Sequence, residues 1–170
     1  MLDILVKKDE FREWLAEEPQ VILPLLEGYK AAISDMGSNL LLDPRSTGND
    51  HIINPEFSTE PRYFMGYQAN RERQEFIISC LYVFPALRGR GHAKRLIDIA
   101  KKVVNTGGFI QVAVEESKIN ELDGFYKKHG FISTNDIIPN ALGVAYRDYF
   151  WSGRTITLSR EKNVINVTFQ

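Results

Sequence analysis

Over residues 9–36 the apolar positions recur near the helical period: Phe11, Trp14 and Leu15, then Val21, Ile22, Leu25, Leu26, Tyr29 and Ile33. Pro19 and Pro24 interrupt the run, and because proline is disfavoured inside a helix the pattern predicts two short helices with a break around residues 18–24. Residues 37–61 lose the periodicity and carry turn chemistry in Asp43-Pro44, in the polar residues 46–50 and in Asn54-Pro55, which predicts a long loop. Two strands are expected next, residues 63–69 and 75–84, joined through the polar Asn70-Arg71-Glu72-Arg73. The second is almost wholly apolar, as a strand buried on both faces should be.

Beyond it, Ala93, Leu96, Ile97, Ala100 and Val104 mark one face of a helix that stops near Gly107-Gly108. Residues 109–114 have the length and β-branched content of a core strand, and residues 119–129 read as a helix closed by Gly130 in a left-handed cap. The order to this point is β-β-α-β-α. A further strand is expected over residues 131–138. An aromatic segment, residues 139–153 with Tyr146, Tyr149, Phe150 and Trp151, precedes a strand at residues 154–160, and the final residues are expected to lengthen the sheet.

Composition narrows the function classes. At 170 residues and 44% hydrophobic content the chain suits a single domain, residues 1–170, with residues 1–60 as its helical N-terminal part and loop. A formal net charge of −1 supplies none of the bulk positive field of a dedicated nucleic-acid binder, so nucleic acid is not an expected partner. The lone Cys80 cannot form an internal disulfide, and with three scattered histidines (His51, His92, His129) it lacks the spacing of a metal site, so no metal is expected. No stretch approaches the ~20 apolar residues that span a bilayer, and the first residues lack a signal-peptide core. The expectation is a soluble cytoplasmic protein with no membrane partner.

The chemistry concentrates between the apolar strand and the helix that follows it. There the chain reads Val83-x-Pro85-x-x-Arg88-Gly89-x-Gly91-x-Ala93. A helix N-terminus presents unpaired N–H groups and a partial positive charge, so it attracts anions wherever nothing bulky blocks the approach. Gly89 and Gly91 remove the block and allow the chain to curl around an oxygen-rich group, while Arg88 and Arg90 add charge. A pyrophosphate is the natural guest. The glycine spacings of the nucleotide phosphate loop and of the dinucleotide fingerprint are both absent.

This motif, after a buried strand and before an amphipathic helix, resembles the acyl-CoA-binding motif of the GNAT superfamily of N-acetyltransferases. A second element agrees: Phe125-Tyr126-Lys127-Lys128-His129-Gly130-Phe131 is similar to the ending of that family's later helix. The resemblance covers about residues 60–160; the first 60 match loosely, because the family usually opens with a strand and this chain opens with a helical pattern. It implies an α/β (α+β) fold, a central mixed and mostly antiparallel sheet flanked by helices and splayed between two central parallel strands. It also implies acetyl-CoA as cosubstrate and an amine acceptor on a small molecule or protein. The backbone amides of Arg88, Gly89, Arg90, Gly91, His92 and Ala93 would hold the CoA pyrophosphate, and the backbone at Leu81, Tyr82 and Val83 would run beside the pantetheine arm. Residues 109–114 would form the other wall of the wedge, and Asn120 would hydrogen-bond the pantetheine.

Acyl transfer to an amine needs a neutral nucleophile, a polarised thioester and a proton for the departing thiolate. The resemblance makes Tyr126 the acid and places Glu75 as the base, with Glu115 and Glu116 as alternatives; an ordinary surface carboxylate is the plainer reading of each. His92 is expected to offer its backbone amide, and Cys80 to be core. The aromatic cluster at residues 146–151 would line an acceptor pocket, seal the core or make an oligomer contact. Asp43, Asp50, Glu56 and Glu60 could receive a polyamine or aminoglycoside, and Arg71, Arg73 and Arg88 an anionic partner. Two other readings stay open: a module of this fold that holds CoA without turnover, and a protein-interaction domain that binds none. A homodimer through the late strands is compatible with the resemblance.

Overall fold

The computed structural model describes residues 4–7, 51–54, 63–70, 72–104, 107–139 and 143–170. The helices expected over residues 9–36, and all of the expected loop apart from residues 51–54, lie outside the described residues. The fold is mixed α/β, a mostly antiparallel sheet with two α-helices among the described residues. Residues divide into two compact units, 1–68 with 78–99 and 69–77 with 100–170.

The first unit holds strands β1 (Ile4–Lys7), β2 (His51–Asn54), β3 (Tyr63–Asn70, all but its last two residues) and most of β4 (Glu75–Val83), in that sheet order. β1 pairs antiparallel with β2, Ile4 opposite Asn54 and Lys7 opposite His51, and β2 pairs antiparallel with β3. One expectation is corrected here: residues 51–54 belong to a strand rather than a loop. Residues 4–7, ahead of the run expected to be helical, form a strand that the sequence pattern did not signal. Tyr63, Phe64, Met65 and Tyr67 are buried on both faces of β3, and Ile78 and Tyr82 are buried in β4. Helix α1 (His92–Val104) adds Leu96 and Ile97, both fully buried, at the helical spacing expected.

In the second unit the sheet order runs from the first residues of β4 through β5 (Phe109–Glu115) and β7 (Ala145–Ser152) to β6 (Ile138–Pro139). β5 and β7 pair antiparallel over their full length, from Phe109 opposite Ser152 to Glu115 opposite Tyr146. Pro139 is tolerated in β6 because that strand lies at the sheet's edge, where a missing N–H costs no ladder bond. A short 3-10 turn (Glu116–Lys118) leads into α2 (Ile119–Lys128), which buries Ile119 and Tyr126.

The strand expected over residues 131–138 is reduced to one bridge, Ile132 with Phe150, and the two residues of β6. Side chains divert the backbone there: the Asn135 amide donates to Ser133 Oγ at 3.1 Å, the Asp136 amide to Thr134 Oγ1 at 3.4 Å, and Asn135 takes φ +64°. The last segment also departs from expectation. β8 (Ile156–Glu161) and β9 (Val164–Phe169) form their own two-stranded sheet instead of lengthening the large one. Phe169 closes against Phe109, with ring centroids 6.2 Å apart, and the Arg154 guanidinium lies 4.5 Å from the Phe169 centroid.

Candidate functional site

The exit from β4 is built by short-range bonds. Pro85 opens a 3-10 turn (Pro85–Leu87) with its fixed φ; the Leu87 amide donates to the Phe84 carbonyl at 2.9 Å and the Arg88 amide to the Pro85 carbonyl at 3.3 Å. Gly89 and Gly91 then take φ of +77° and +85°, the left-handed region that side chains rarely adopt. A Cβ at either glycine would meet nothing within 4 Å. The backbone path, not crowding, therefore selects glycine, and the space beside the turn is open. The α1 ladder begins with the Arg95 amide donating to the Gly91 carbonyl at 3.1 Å, so the amides of His92, Ala93 and Lys94 precede it and are available as donors.

Tyr63 of β3, 1% exposed, fastens this helix start. Its ring stacks on His92, with centroids 4.2 Å apart and an interplanar angle of 25°, and its hydroxyl accepts from Arg95 Nη1 at 2.7 Å. Arg88 turns back: Nε donates to the Val83 carbonyl at 3.0 Å and the guanidinium lies 5.9 Å from the Tyr82 centroid. It braces the strand end, while the Arg90 side chain is exposed at the turn. Tyr82 is buried against Phe64 at 5.6 Å, and Leu81 and Val83 are partly buried. Residues 81–83 and 88–93 thus form one continuous strand, turn and helix start.

The second unit carries the residues expected to handle protons. Tyr126, 3% exposed, stacks on Tyr149 of β7 at 5.3 Å and meets the edges of Phe131 at 5.4 Å and Phe125 at 5.1 Å. α2 is held in place by Asp123, whose Oδ1 accepts from the Tyr149 hydroxyl at 2.6 Å and whose Oδ2 pairs with Lys127 at 3.1 Å; Arg147 stands 3.6 Å away. The bond from Tyr149, then those from Lys127, hold the Asp123 carboxyl below the usual carboxylate range. Burial, and then that same carboxylate, push the Tyr149 hydroxyl up. Gly130, φ +85°, ends the helix, and Phe131 donates its amide to the Tyr126 carbonyl at 3.0 Å. Lys101, from the end of α1, donates to the His129 carbonyl at 2.6 Å and lies 5.0 Å from the Trp151 centroid.

Glu75, first residue of β4, is partly buried; desolvation raises its pKa and Arg73 offsets part of the rise. It follows Gln74, whose carbonyl accepts from the Phe109 amide at 2.9 Å. Asn120 is exposed in the first turn of α2. Glu115 is partly buried with Oε1 accepting from Ser117 at 3.2 Å, and Glu116 is exposed. The side chain of Cys80, and Asp43, Asp50, Glu56, Glu60 and Arg71, fall outside the described residues. Among the described residues no group of three His, Cys, Asp or Glu side chains could hold a metal, and no helix is long and apolar enough to cross a membrane.

Sequence reasoning assigned no role to Asp123 or Asp148 and took Tyr149 only as part of the aromatic cluster. Asp123 and Tyr149 lock α2 to β7, and Asp148 is a partly buried carboxylate in mid-strand. The signal for Asp148 was present: an acidic residue inside the aromatic run Tyr146 to Trp151 is out of place in a strand.

Residues 59–143 match the model of the acetyltransferase (GNAT) domain family. A search of curated proteins finds no match in sequence. Solved structures of similar fold include Escherichia coli ElaA, at 14% identity and a TM-score of 0.62, over 88% of this chain and 99% of that one. A GNAT-family protein of Bacteroides thetaiotaomicron is similar at 16% identity and a TM-score of 0.55, over 91% and 89% of the two chains. An aminoglycoside 6'-N-acetyltransferase complexed with coenzyme A is similar at 17% identity and a TM-score of 0.50, over 86% and 94%.

Proposed function

Because the chain belongs to the acetyltransferase (GNAT) domain family, we propose that it moves an acetyl group from acetyl-CoA to a primary amine, on a small molecule or a protein, by direct attack in a ternary complex. The observation that carries the reading is the pair of left-handed glycines, Gly89 and Gly91, opening α1 beside free space. That arrangement suits a pyrophosphate, whose oxygens need converging N–H donors and a close backbone approach. The coenzyme A complex of the aminoglycoside acetyltransferase of similar fold agrees with this choice of guest.

In this reading the amides of residues 88–93 bind the pyrophosphate and Arg90 adds positive charge. The backbone of Leu81, Tyr82 and Val83 runs alongside the pantetheine arm, and Asn120 donates a hydrogen bond to it. Glu75 accepts a proton from the attacking nitrogen, a task favoured by the upward shift that burial gives its carboxyl. The nitrogen lone pair forms the C–N bond, the C–S bond breaks, and Tyr126 supplies a proton to the departing thiolate. Positioning alone can contribute about 7–11 kcal/mol to such a transfer, so the base need contribute only a part.

Isothermal titration with acetyl-CoA tests the reading. Wild-type protein should bind, and Gly91→Trp, which fills the open side of the turn and strains φ +85°, should abolish binding while the thermal unfolding transition persists. Equal affinity in the two proteins, or no binding by folded wild type, would refute it.

A further inference from the structure

Directly opposed residues of an antiparallel pair share a face. On β5 and β7 one face carries Val112 and Val114 opposite Tyr149 and Arg147, the side on which Tyr149 meets Asp123 of α2. The other face carries Gln111 opposite Phe150, Ala113 opposite Asp148, and Glu115 opposite Tyr146. Asp148 is therefore directed away from α2, in the middle of a strand, where a carboxylate packs poorly and loses water. Its hydrogen-bond partner is the Gln111 side chain, a neutral amide one diagonal step away. Among the described residues no lysine or arginine pairs with it; Arg147, its chain neighbour, points to the opposite face and engages Asp123 and the Asn135 carbonyl.

The position facing Asp148 is open. Ala113 is exposed although Val112 and Val114 on either side are buried, and its methyl group is the smallest side chain that could stand opposite the carboxylate short of glycine. We propose that Asp148 binds the ammonium group of the acceptor amine, with Gln111 fixing the carboxylate and Ala113 making room. The proposal deepens the acetyl-transfer reading and rests on it: an acceptor arrives at neutral pH as a cation, and an ammonium group brings three donors to a carboxylate with lone pairs to spare. Burial pushes the Asp148 carboxyl above the ordinary carboxylate range, the Gln111 bond offsetting part of this. A cation docked beside it recovers an interaction that desolvation withheld. The role is specificity and orientation, separate from the proton transfers assigned to Glu75 and Tyr126.

The test is titration of n-butylammonium chloride into labelled protein, read at the Gln111 side-chain amide by NMR, with wild type, Asp148→Asn and n-butanol as the uncharged control. Asparagine keeps the shape and an oxygen for Gln111 while removing the charge. The expected result is a saturable shift in wild type, absent with n-butanol and weakened about 10-fold or more in Asp148→Asn, the loss expected when a charged hydrogen-bond partner becomes neutral. Equal response of both proteins, equal response to amine and alcohol in wild type, or no shift of the Gln111 amide at all, overturns the proposal. The wild-type comparison stands even if the variant does not fold. Acetyl-CoA titration on the same samples separates the two failures, since loss of the acetyl-transfer reading would show there and not in the amine response.

Discussion

Gly108 sits at the entrance to β5, where an added methyl group would be paid for in backbone displacement. An ideal Cβ there would lie 2.3 Å from the Gln74 carbonyl oxygen and 3.1 Å from its carbon, whereas real Cβ contacts essentially never fall below 3.0 Å. That oxygen also accepts from the Phe109 amide at 2.9 Å, and Gln74 is already held at φ +54°, so the obstacle is constrained backbone rather than a side-chain tip. Gly108→Ala should therefore combine overpacking, about 1–3 kcal/mol, with weakening of one backbone hydrogen bond, about 0.5–1.5 kcal/mol. The expected loss is about 2–4 kcal/mol, which for a chain of this size lowers Tm by about 5–15 °C. Urea unfolding followed by Trp151 fluorescence, which reports on the same unit, measures it. Gly107→Ala is the control, because its nearest neighbour would be the Val104 carbonyl at 3.9 Å, and it should stay within about 0.5 kcal/mol of wild type. If Gly108→Ala and Gly107→Ala unfold alike, the steric argument for the start of β5 is wrong.

Tyr126→Phe keeps the ring stack on Tyr149 and removes the proposed acid, so kcat should fall about 100-fold or more while acetyl-CoA affinity, read by titration, holds. Asp148→Asn should raise stability at pH 7. The folded-state pKa of Asp148 lies above its reference value of 3.8, so wild type carries the full penalty above the folded pKa, progressively less as pH falls towards 3.8, and none below; melting curves of the two proteins should converge on acidification. Lys101→Met gives up the 2.6 Å bond to His129 and the cation–π contact with Trp151, and should cost about 1–2 kcal/mol in urea unfolding; a change within error would mean that solvent replaces both.

The glycine turn and both helices of the described residues could be read in advance because their determinants are local: periodic apolar residues, a Pro85 start and positive-φ glycines at 89, 91 and 130. Strand β7 was harder to read. Tyr149 and Phe150 are both buried, one on each face, so alternation is masked and only pairing with β5 reveals it. Residues 131–138 misled because Ile137 and Ile138 favour a strand while Ser133 and Thr134 capture the amides of Asn135 and Asp136. The locking of α2 through Asp123 depends on Tyr149, twenty-six residues away, which no local pattern encodes.

Strand β4 changes unit within its own length, its first three residues counting with the second unit and the remainder with the first. For a chain made from its N-terminus this imposes an order of assembly. Every segment of the first unit, glycine turn included, has been synthesised by residue 99, whereas the second unit then possesses only residues 69–77. Those nine residues must wait for β5, α2 and β7, the last beginning at Ala145. Nascent chains that stall between these points would carry the glycine turn proposed to bind pyrophosphate without the strand and helix that bear Asp148 and Tyr126, so under the proposed reading ligand capture would precede chemical competence during synthesis.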